Sequence, residues 1–399
     1  MKEGWKYMKL GEIATIRRGL TYKKEDEVEK SNKIVLRSNN VDLETHQLIF
    51  DEIKYLKDDF DIPEEKILKK GDLLMCMSNG SKIHLGKVAL IEQNTHFAFG
   101  GFMSAIEHNK SVLDKFFYYA LISPNFKQHI KELQDGANIN NLKIRDIESF
   151  SIPVPSLSDQ QRIVSYLDAE FAKIEALKAN AEKQLQAAKD LFQAALKELL
   201  TPKEGWVEKK LGELCDKTKN IKWTENSGTH QYIDLSSVSR DSLAITDSII
   251  INYKNAPSRA KQIIKTHDIL FATTRPTLRR LCIVNNNYDN EICSTGFCVL
   301  RPNSTIFYGY LFFSLLTDDF YKYIEPLQTG ANYPAVTDGI VKQYVLFIPP
   351  SLSEQQRIAD RLDALSANVK ALQTNYTETI TLCNDLKQAL LKKVFEEDG

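Results

Sequence analysis

A nine-residue segment occurs twice in this chain, and each copy opens a long stretch without glycine or proline. The first copy, PSLSDQQRI, spans residues 155–163, and the second, PSLSEQQRI, spans residues 350–358. In the first copy Ser158 is a good helix N-cap, and Gln161 three residues later completes a capping box; the second copy repeats both. Each copy predicts the start of a long helix, and the duplication predicts two related halves of the chain.

Apolar residues follow both helix starts at alternating steps of three and four residues. This spacing predicts the narrow seam of a coiled coil and not the broad apolar face of a core helix. At 1.5 Å per residue each helix would be about 65 Å long, and so thin a stripe needs a partner along its whole length. We expect the two helices to pair with each other, with a seam formed by Leu167, Phe171, Ile174, Leu185, Phe192, Leu362, Val369, Tyr376, Leu386 and Leu390.

The repeat also covers the blocks that precede the helices. Lys-Leu-Gly-Glu at 9–12 returns at 210–213, and FAFGGFMSAI at 97–106 aligns with EICSTGFCVL at 291–300, each with a Gly-Phe pair. Short apolar runs with strand character cluster instead of alternating with helices, which indicates an α+β fold. We therefore predict two similar globular domains separated by two long helices that pair as an antiparallel coiled coil with pseudo-two-fold symmetry. The predicted limits are 1–155 for the first domain, 156–200 for the central helix, 201–350 for the second domain and 351–399 for the C-terminal helix.

Composition excludes several classes of protein. The net charge is −1, so a basic nucleic-acid-binding surface has to be local. The six cysteines show no metal-ligand spacing and are expected to be reduced thiols in a cytoplasmic protein. The N-terminus has no apolar signal region, and no apolar run reaches the roughly twenty residues of a membrane span.

Motifs for catalysis are absent or incomplete. The segment Gly80–Lys87 resembles a phosphate-binding loop, but it has one residue too many between its glycines and Val88 where a magnesium-binding Ser or Thr belongs. Glu64-Glu65-Lys66 could end a nuclease-type motif, and a solvated turn is the alternative. No hydrolase, metalloprotease or dinucleotide-binding motif occurs, and there is no Asn-Pro-Pro-aromatic motif of amino-methyltransferases. The sequence predicts a chain that is not itself an enzyme and holds no metal.

Polar loops after predicted strands are the better functional candidates. The guanidinium group of arginine can donate two hydrogen bonds to guanine or to a phosphate. Asn can form two hydrogen bonds with adenine, and the hydroxyl groups of Ser and Thr can bind bases or phosphates. The predicted DNA-contacting residues of the second domain are Thr274, Arg275, Thr277, Arg279 and Arg280, with Ser236 and Ser237 on a second turn. Those of the first domain are Ser78, Asn79, Ser81, Lys82 and His84, with Arg37, Asn39 and Asn40 on the matching turn. Ordinary solvated turns are the alternative for both sets.

Two further features are weaker candidates. Arg17, Arg18 and Lys219 stand where charges could position a phosphate, and a solvated charge cluster explains them equally well. Gly-Ala-Asn occurs at 136–138 and again at 330–332, where backbone amides could hold a phosphate or form a tight turn.

The chain resembles the specificity subunits of type I restriction–modification systems over essentially its whole length. The resemblance rests on the duplicated P-S-L-S-[DE]-Q-Q-R-I helix start after each IPVP or FIPP strand, on the repeated Gly-Trp and Lys-Leu-Gly-Glu openings and on STGFCVL. It implies two target recognition domains that each read one half of a split sequence in double-stranded DNA. The paired helices would set the gap and dock two modification (methyltransferase) subunits, and through them ATP-dependent restriction subunits.

The same resemblance implies that S-adenosylmethionine, ATP and magnesium belong to the partner subunits, with no cofactor in this chain. Two other hypotheses remain open at this point. One is a scaffold that binds only proteins; the other is a stand-alone DNA-acting enzyme, which would need a catalytic motif.

Overall fold

The computed structural model describes residues 5–135 and 140–396. Contacts divide the chain into unit 1, formed by Met1–Ala181 and Glu378–Gly399, and unit 2, formed by Glu182–Thr377. Each unit contains one of the two blocks together with segments of both long helices. The domain limits given above remain predictions, because this division cuts through the helices instead of separating them from the blocks.

Unit 1 contains two four-stranded sheets and one two-stranded sheet. The strand orders are β2-β9-β6-β7, β3-β5-β4-β8 and β1-β10. All pairs are antiparallel except β4 with β8. The strands are β1 Lys6–Lys9, β2 Ala14–Arg18, β3 Glu27–Val28, β4 Lys33–Leu36, β5 Lys54–Leu56, β6 Leu73–Cys76, β7 Val88–Leu90, β8 Ala98–Phe99, β9 Met103–His108 and β10 Ser151–Val154. The helices are α1 Leu10–Ile13, α2 Asp114–Leu121, α3 Pro124–Asp135, α4 Ile144–Glu148 and the first part of α5 Leu157–Leu200.

Unit 2 repeats this arrangement with one more strand. Its sheets have the orders β12-β20-β17-β18, β13-β16-β19-β14-β15 and β11-β21. The strands are β11 Val207–Lys210, β12 Cys215–Asp216, β13 Lys219–Asn220, β14 Thr229–Ile233, β15 Ile249–Asn252, β16 Ala260–Ile263, β17 Ile269–Ala272, β18 Leu281–Ile283, β19 Ile292–Ser294, β20 Phe297–Pro302 and β21 Val345–Ile348. The helices are α6 Tyr308–Ser314, α7 Asp318–Ile324, α8 Asp338–Gln343 and α9 Leu352–Phe395, which ends in unit 1. The predicted α+β class with two similar domains and two long helices is confirmed.

The central strands β6 and β17 are apolar on both faces because each separates two cores. Leu73 in β6 packs with helix α2, whereas its neighbour Leu74 packs in a second core beneath the other sheet. In β17, Ile269 lies in one core of unit 2 and its neighbour Leu270 lies in the other. Successive strand residues point to opposite faces, so a strand between two cores needs an unbroken apolar run.

Both long helices start with the same buried glutamine contacts. Gln160 is fully buried; its Oε1 accepts from the Leu113 amide (2.9 Å), and its Nε2 donates to the Ser111 and Pro155 carbonyls (2.9 and 3.0 Å). The predicted N-cap at Ser158 was wrong, because α5 begins at Leu157 and the Asp159 amide donates to Ser156 Oγ (3.2 Å).

The second helix start reproduces this arrangement in unit 2. Gln355, also fully buried, accepts from the Phe307 amide (2.8 Å) and donates to the carbonyls of Thr305 and Pro349 (3.3 and 2.9 Å). The first glutamine of each Q-Q pair therefore joins the end of the preceding strand and the start of the long helix to the segment that enters α2 in unit 1 or α6 in unit 2.

Within each unit the long helices run antiparallel. In unit 1, Leu167 near the start of α5 shares a core with Leu391 and Phe395 near the end of α9. In unit 2, Leu199 near the end of α5 shares a core with Leu362 near the start of α9. Among the other predicted seam residues, Ile174 and Val369 are buried, and the half-buried ones are Phe171, Leu185, Phe192, Tyr376 and Leu390.

The seam prediction was wrong at Leu386, whose side chain is 49% exposed. Lys387 takes the inward position: its ammonium group pairs with Glu175 and lies 5.6 Å from the centre of the Phe171 ring. Four residues after the buried Cys383, position 387 continues the stripe, and a lysine stem can cover apolar surface while its charge stays paired. In the described part of the chain, no helix combines the length and apolar content that crossing a membrane requires.

Candidate nucleic-acid interface

The loop after β6 in unit 1 is held by main-chain hydrogen bonds on two sides. The Met77 amide donates to the Phe102 carbonyl (2.9 Å), and the Asn79 amide donates to the Asn140 carbonyl (3.2 Å). Ser78 also forms an antiparallel bridge with Asn141. The loop is therefore fixed in place, and its side chains are presented on a rigid frame.

Residues of three loops lie next to one another on this frame. Asn79 Nδ2 donates to Ser38 Oγ (2.7 Å), which joins the loop after β6 to the turn after β4. Arg37 Nε is buried and has no hydrogen-bond partner among the described residues. Phe102 is 71% exposed. We refer to Arg37, Ser38, Ser78, Asn79 and Phe102 as surface 1.

The loop after β17 in unit 2 has the same main-chain frame. The Thr273 amide donates to the Gly296 carbonyl (2.9 Å), and the Arg275 amide donates to the Pro334 carbonyl (2.6 Å). Thr274 forms an antiparallel bridge with Ala335. The loop that carries the second Gly-Ala-Asn triplet is thus the element that holds the arginine loop; the first triplet, at 136–138, lies outside the described residues.

Arg275 is the exposed centre of this second loop. Its backbone has a left-handed conformation (φ 50°), and its guanidinium donates to the Asn332 carbonyl (3.2 Å) and lies 4.8 Å from the centre of the Tyr333 ring. Tyr333 is 69% exposed. No carboxylate pairs with Arg275 among the residues that the structure describes. We refer to Asp234, Thr274, Arg275 and Tyr333 as surface 2.

The other two arginines of this loop make internal contacts. Arg279, also left-handed (φ 55°), pairs with Asp318 (2.6 Å) and lies 4.4 Å from the centre of the Tyr321 ring. Arg280 donates to the Leu235 carbonyl. Their first role is to fasten the loop to α7 and to the turn after β14.

Strand registers show which positions of the two surfaces correspond. In unit 1, Leu36 at the end of β4 pairs with Phe99, and in unit 2, Ile233 at the end of β14 pairs with Cys293 in the same way. The next residues, Arg37 and Asp234, therefore occupy corresponding positions. Cys76 pairs with Met103 as Ala272 pairs with Phe297. Consequently Asn79 corresponds to Arg275, and Phe102 corresponds to Gly296.

This register corrects two details of the sequence alignment. The Gly-Phe pairs are not equivalent, because Phe102 is exposed in a turn whereas Phe297 is fully buried in β20. The turn Arg37–Asn40 corresponds to Asp234–Ser237, so that Asp234, which was not among the predicted contact residues, takes the place of Arg37. In both turns the first amide donates to the fourth side chain, Arg37 to Asn40 Oδ1 (2.9 Å) and Asp234 to Ser237 Oγ (3.2 Å).

Three predicted contact residues are built into the scaffold. Asn40 is fully buried and donates to the Ile49 carbonyl (3.1 Å), and Ser237 is 6% exposed. Arg17 pairs with the buried Asp72 (2.5 Å), with only 13% of its side chain exposed. Because these side chains are buried or bound to other parts of the protein, they do not belong to the candidate interface.

The remaining predicted residues lie outside the two surfaces or at their edges. Lys82 and His84 belong to the outer part of the loop after β6, where burial lowers the pKa of His84 and nearby Lys87 lowers it further. Ser236 donates to Asp234 Oδ1 (2.6 Å), and Asn39 donates to the Glu52 carbonyl (3.0 Å). The exposed members of this group are Arg18, Asn39, Ser81, Lys219, Ser236 and Thr277.

The described residues contain no group of three or more His, Cys, Asp or Glu side chains that could hold a metal ion. Lys87, the lysine of the loop-like segment 80–87, is buried and donates to the Val41 carbonyl (2.7 Å), which turns its amine away from any phosphate. Burial raises the pKa of the Cys282 thiol to about 12, so this cysteine is a core residue and not a nucleophile.

The sequence matches the family described as "Type I restriction modification DNA specificity domain" over residues 2–187 and 203–382. The chain belongs to this family. The two matched segments correspond to the two repeats, so this type I specificity chain carries two copies of the domain.

Curated relatives cover nearly the whole chain. It is 26% identical to the type I restriction enzyme StySPI specificity subunit of Salmonella potsdam, over 99% of this chain and 89% of that protein. It is 25% identical to the EcoKI specificity subunit of Escherichia coli (strain K12), with the same coverage of both proteins.

Solved structures share the fold. One, from a study of complex assembly and conformational transition of the type I R-M system, matches with a TM-score of 0.77 and 20% identity over 100% of this chain and 99% of that chain. The HsdS subunit from Thermoanaerobacter tengcongensis matches with a TM-score of 0.55 and 20% identity over 100% and 98%. The predicted family is confirmed.

Proposed function

We propose that this chain is the non-catalytic, sequence-specific DNA-binding subunit of a cytoplasmic type I restriction–modification complex, with unit 1 reading one half of a bipartite target and unit 2 reading the other. One observation carries the proposal. Two turns and two loops with matching hydrogen bonds present different side chains at corresponding positions, Arg37 against Asp234 on the turns and Asn79 against Arg275 on the loops.

These differences are of the kind that changes base preference. Arginine suits the O6 and N7 acceptors of guanine, whereas an amide such as Asn79 suits adenine. The arginine is supplied by the turn after β4 in unit 1 and by the loop after β17 in unit 2. A conserved main-chain frame with exchanged polar groups supports two different half-sites read by one architecture.

The two 44-residue helices are proposed to set the distance between the half-sites and to dock two methyltransferase subunits, and through these the restriction subunits. Family membership supports these assignments, as does the likeness to a chain from a type I assembly study. S-adenosylmethionine, ATP and magnesium are proposed to bind to those partners and not to this chain.

The test begins with the complex of this chain and its methyltransferase. Methylome sequencing of cells that contain the system gives the target, and titration of that duplex over a salt series gives affinity and the number of phosphate contacts. We expect Arg275→Ala to weaken binding by about ten- to a hundredfold on duplexes with an intact unit 2 half-site, and much less when that half-site is scrambled.

Asn79→Ala should act in the same way on the other half-site, and Lys209→Ala, an exposed lysine on β11, is the matched control. If the assembled complex shows no sequence preference for DNA, the chain is a scaffold and the proposal is wrong. If the loop variants lose methyltransferase binding instead of DNA binding, the loops belong to a protein interface.

A further inference from the structure

Phe102 is an exposed aromatic residue on a tightly held turn. Its carbonyl accepts from the amides of Met77 and Ser78 (2.9 and 3.1 Å), and the Met103 amide closes the turn on the Gly100 carbonyl (2.8 Å). The ring is 71% exposed although the backbone beneath it is fixed. The scaffold therefore fixes the point from which this side chain projects.

The fold itself does not require an aromatic side chain at this position. Gly296 occupies the corresponding place in unit 2 and makes the same carbonyl contact to the loop after β17. The space above Gly296 is taken by Leu235, because a Cβ added to this glycine would lie 3.1 Å from Leu235 Cδ1. In unit 1 the residue that corresponds to Leu235 is the small Ser38.

Each unit thus has one apolar side chain at the same junction, supplied by a different strand end: the exposed Phe102 in unit 1 and the half-buried Leu235 in unit 2. Unit 1 combines Phe102 with Ser38, and unit 2 combines Gly296 with Leu235. Around this group lie hydrogen-bonding side chains suited to base edges. In the major groove the apolar feature of a base edge is the 5-methyl group of thymine.

We propose that Phe102 contacts the 5-methyl group of a thymine in the half-site read by unit 1 and is a specificity-determining residue. The inference rests on the proposed function, since it needs surface 1 to face DNA. It adds the identity of one base and the group that selects it.

The experiment is selection of binding sites from duplexes with two randomised blocks, using the full chain assembled with its methyltransferase. Wild type, Phe102→Ala and Phe102→Leu are compared, and Tyr7→Ala, an aromatic residue 52% exposed on β1, is the control. We expect Phe102→Ala to lose the preference for thymine at one position of the unit 1 half-site. The unit 2 half-site should be selected unchanged, which shows that the variant is folded.

Replacing that thymine by uracil removes only the methyl group. We expect the change to weaken binding of the wild type roughly fourfold, from the loss of one buried methyl contact, and to leave binding of Phe102→Ala unchanged. Phe102→Leu should keep part of the preference.

The outcomes separate the two claims. Absence of any bipartite preference in the wild type overturns the proposed function. A wild-type preference that Phe102→Ala retains in full, or a uracil effect of equal size in both proteins, overturns the inference about Phe102 and leaves the proposed function standing.

Discussion

Gln160 Oε1 accepts a hydrogen bond from the backbone amide of Leu113 across 2.9 Å, and this contact joins the start of α5 to the start of α2. Gln355 and Phe307 form the same contact in unit 2 at 2.8 Å. The duplicated motif is therefore more than a helix start. Its first glutamine satisfies an otherwise orphaned amide and two carbonyls, one of them buried, which fixes where each long helix leaves its block.

Replacing Gln160 by Ala should lower the free energy of unfolding by about 3 kcal/mol, because it leaves a half-buried amide, a half-buried carbonyl and a buried carbonyl without this partner. The matched control is Gln161→Ala, since Gln161 is exposed, and it should change stability by less than about 0.5 kcal/mol. Urea unfolding of the full chain measures both. Equal effects of the two substitutions would contradict the assigned role of Gln160.

The helix seam can be tested with a pair of leucines on α9. Leu362 is fully buried and Leu372 is 39% exposed. Leu362→Glu places a carboxylate in the core of unit 2 and should cost about 4 kcal/mol or prevent folding, whereas Leu372→Glu should cost less than about 1 kcal/mol. Thermal unfolding and size-exclusion chromatography distinguish them. A Leu362→Glu chain as stable as the Leu372→Glu chain would rule out the seam.

Each unit contains one buried aspartate at the turn before its central strand, and the paired arginine comes from a different strand in each unit. Asp72 pairs with Arg17 of β2, and Asp268 pairs with Arg301 of β20 (2.5 and 2.7 Å). Arg301→Met should cost about 3–5 kcal/mol, since Asp268 is 1% exposed and would be left as an unpaired buried charge.

Combining Arg301→Met with Asp268→Asn in a double-mutant cycle isolates the pair. We expect a coupling energy of about 2 kcal/mol, measured by chemical unfolding, because Asn keeps the contact to the Lys265 amide and removes the charge. A coupling energy near zero would mean that the two side chains act independently.

His46 predicts a pH dependence of stability. Burial, followed by the charge of Lys127, lowers the pKa of this histidine from 6.5 to about 4. The unfolded chain then binds more protons than the folded chain between these values, so stability falls as the pH drops from 6.5 to 4, by about 3 kcal/mol in total.

His46→Asn should remove this part of the slope, because Asn tolerates the left-handed backbone at this position (φ 57°) and does not titrate. Unfolding measured at a series of pH values checks the difference between the two proteins. If their slopes coincide, His46 does not titrate with the assigned shift.

Several features could be predicted from the sequence because they depend on local spacing. Heptad steps predicted both long helices, and repeated strand-like runs predicted two α+β blocks. The N-cap was misplaced by two residues because the capping-box pattern fits Ser158 as well as the true Ser156. Leu386 was misplaced because it lies three residues after the buried Cys383, and this step fits the seam spacing as well as the four-residue step to Lys387 does.

The composition of the two surfaces could not be predicted from the sequence, because it depends on contacts between residues that are distant in the chain. Both repeats contain a Gly-Phe pair, and the sequence therefore suggested that Phe102 and Phe297 are equivalent. The pairing of β6 with β9 and of β17 with β20 shows instead that Phe102 corresponds to Gly296. Arg17 and Asn40 look like free polar residues in the sequence, and their partners Asp72 and the Ile49 carbonyl become visible only when the sheets are assembled.

The sequence by itself determined the duplicated architecture, the helix-start motif and the family, since periodicity and motif spacing are properties of neighbouring residues. Only the tertiary structure decided that Gln160 and Gln355 fix the helix starts, and that Phe102 and Arg275 are exposed whereas Arg37 and Asn79 are half-buried. The physical reason is that strand register and burial are set by packing between segments far apart in the chain, and a shift of one residue in register reverses which side chain faces solvent.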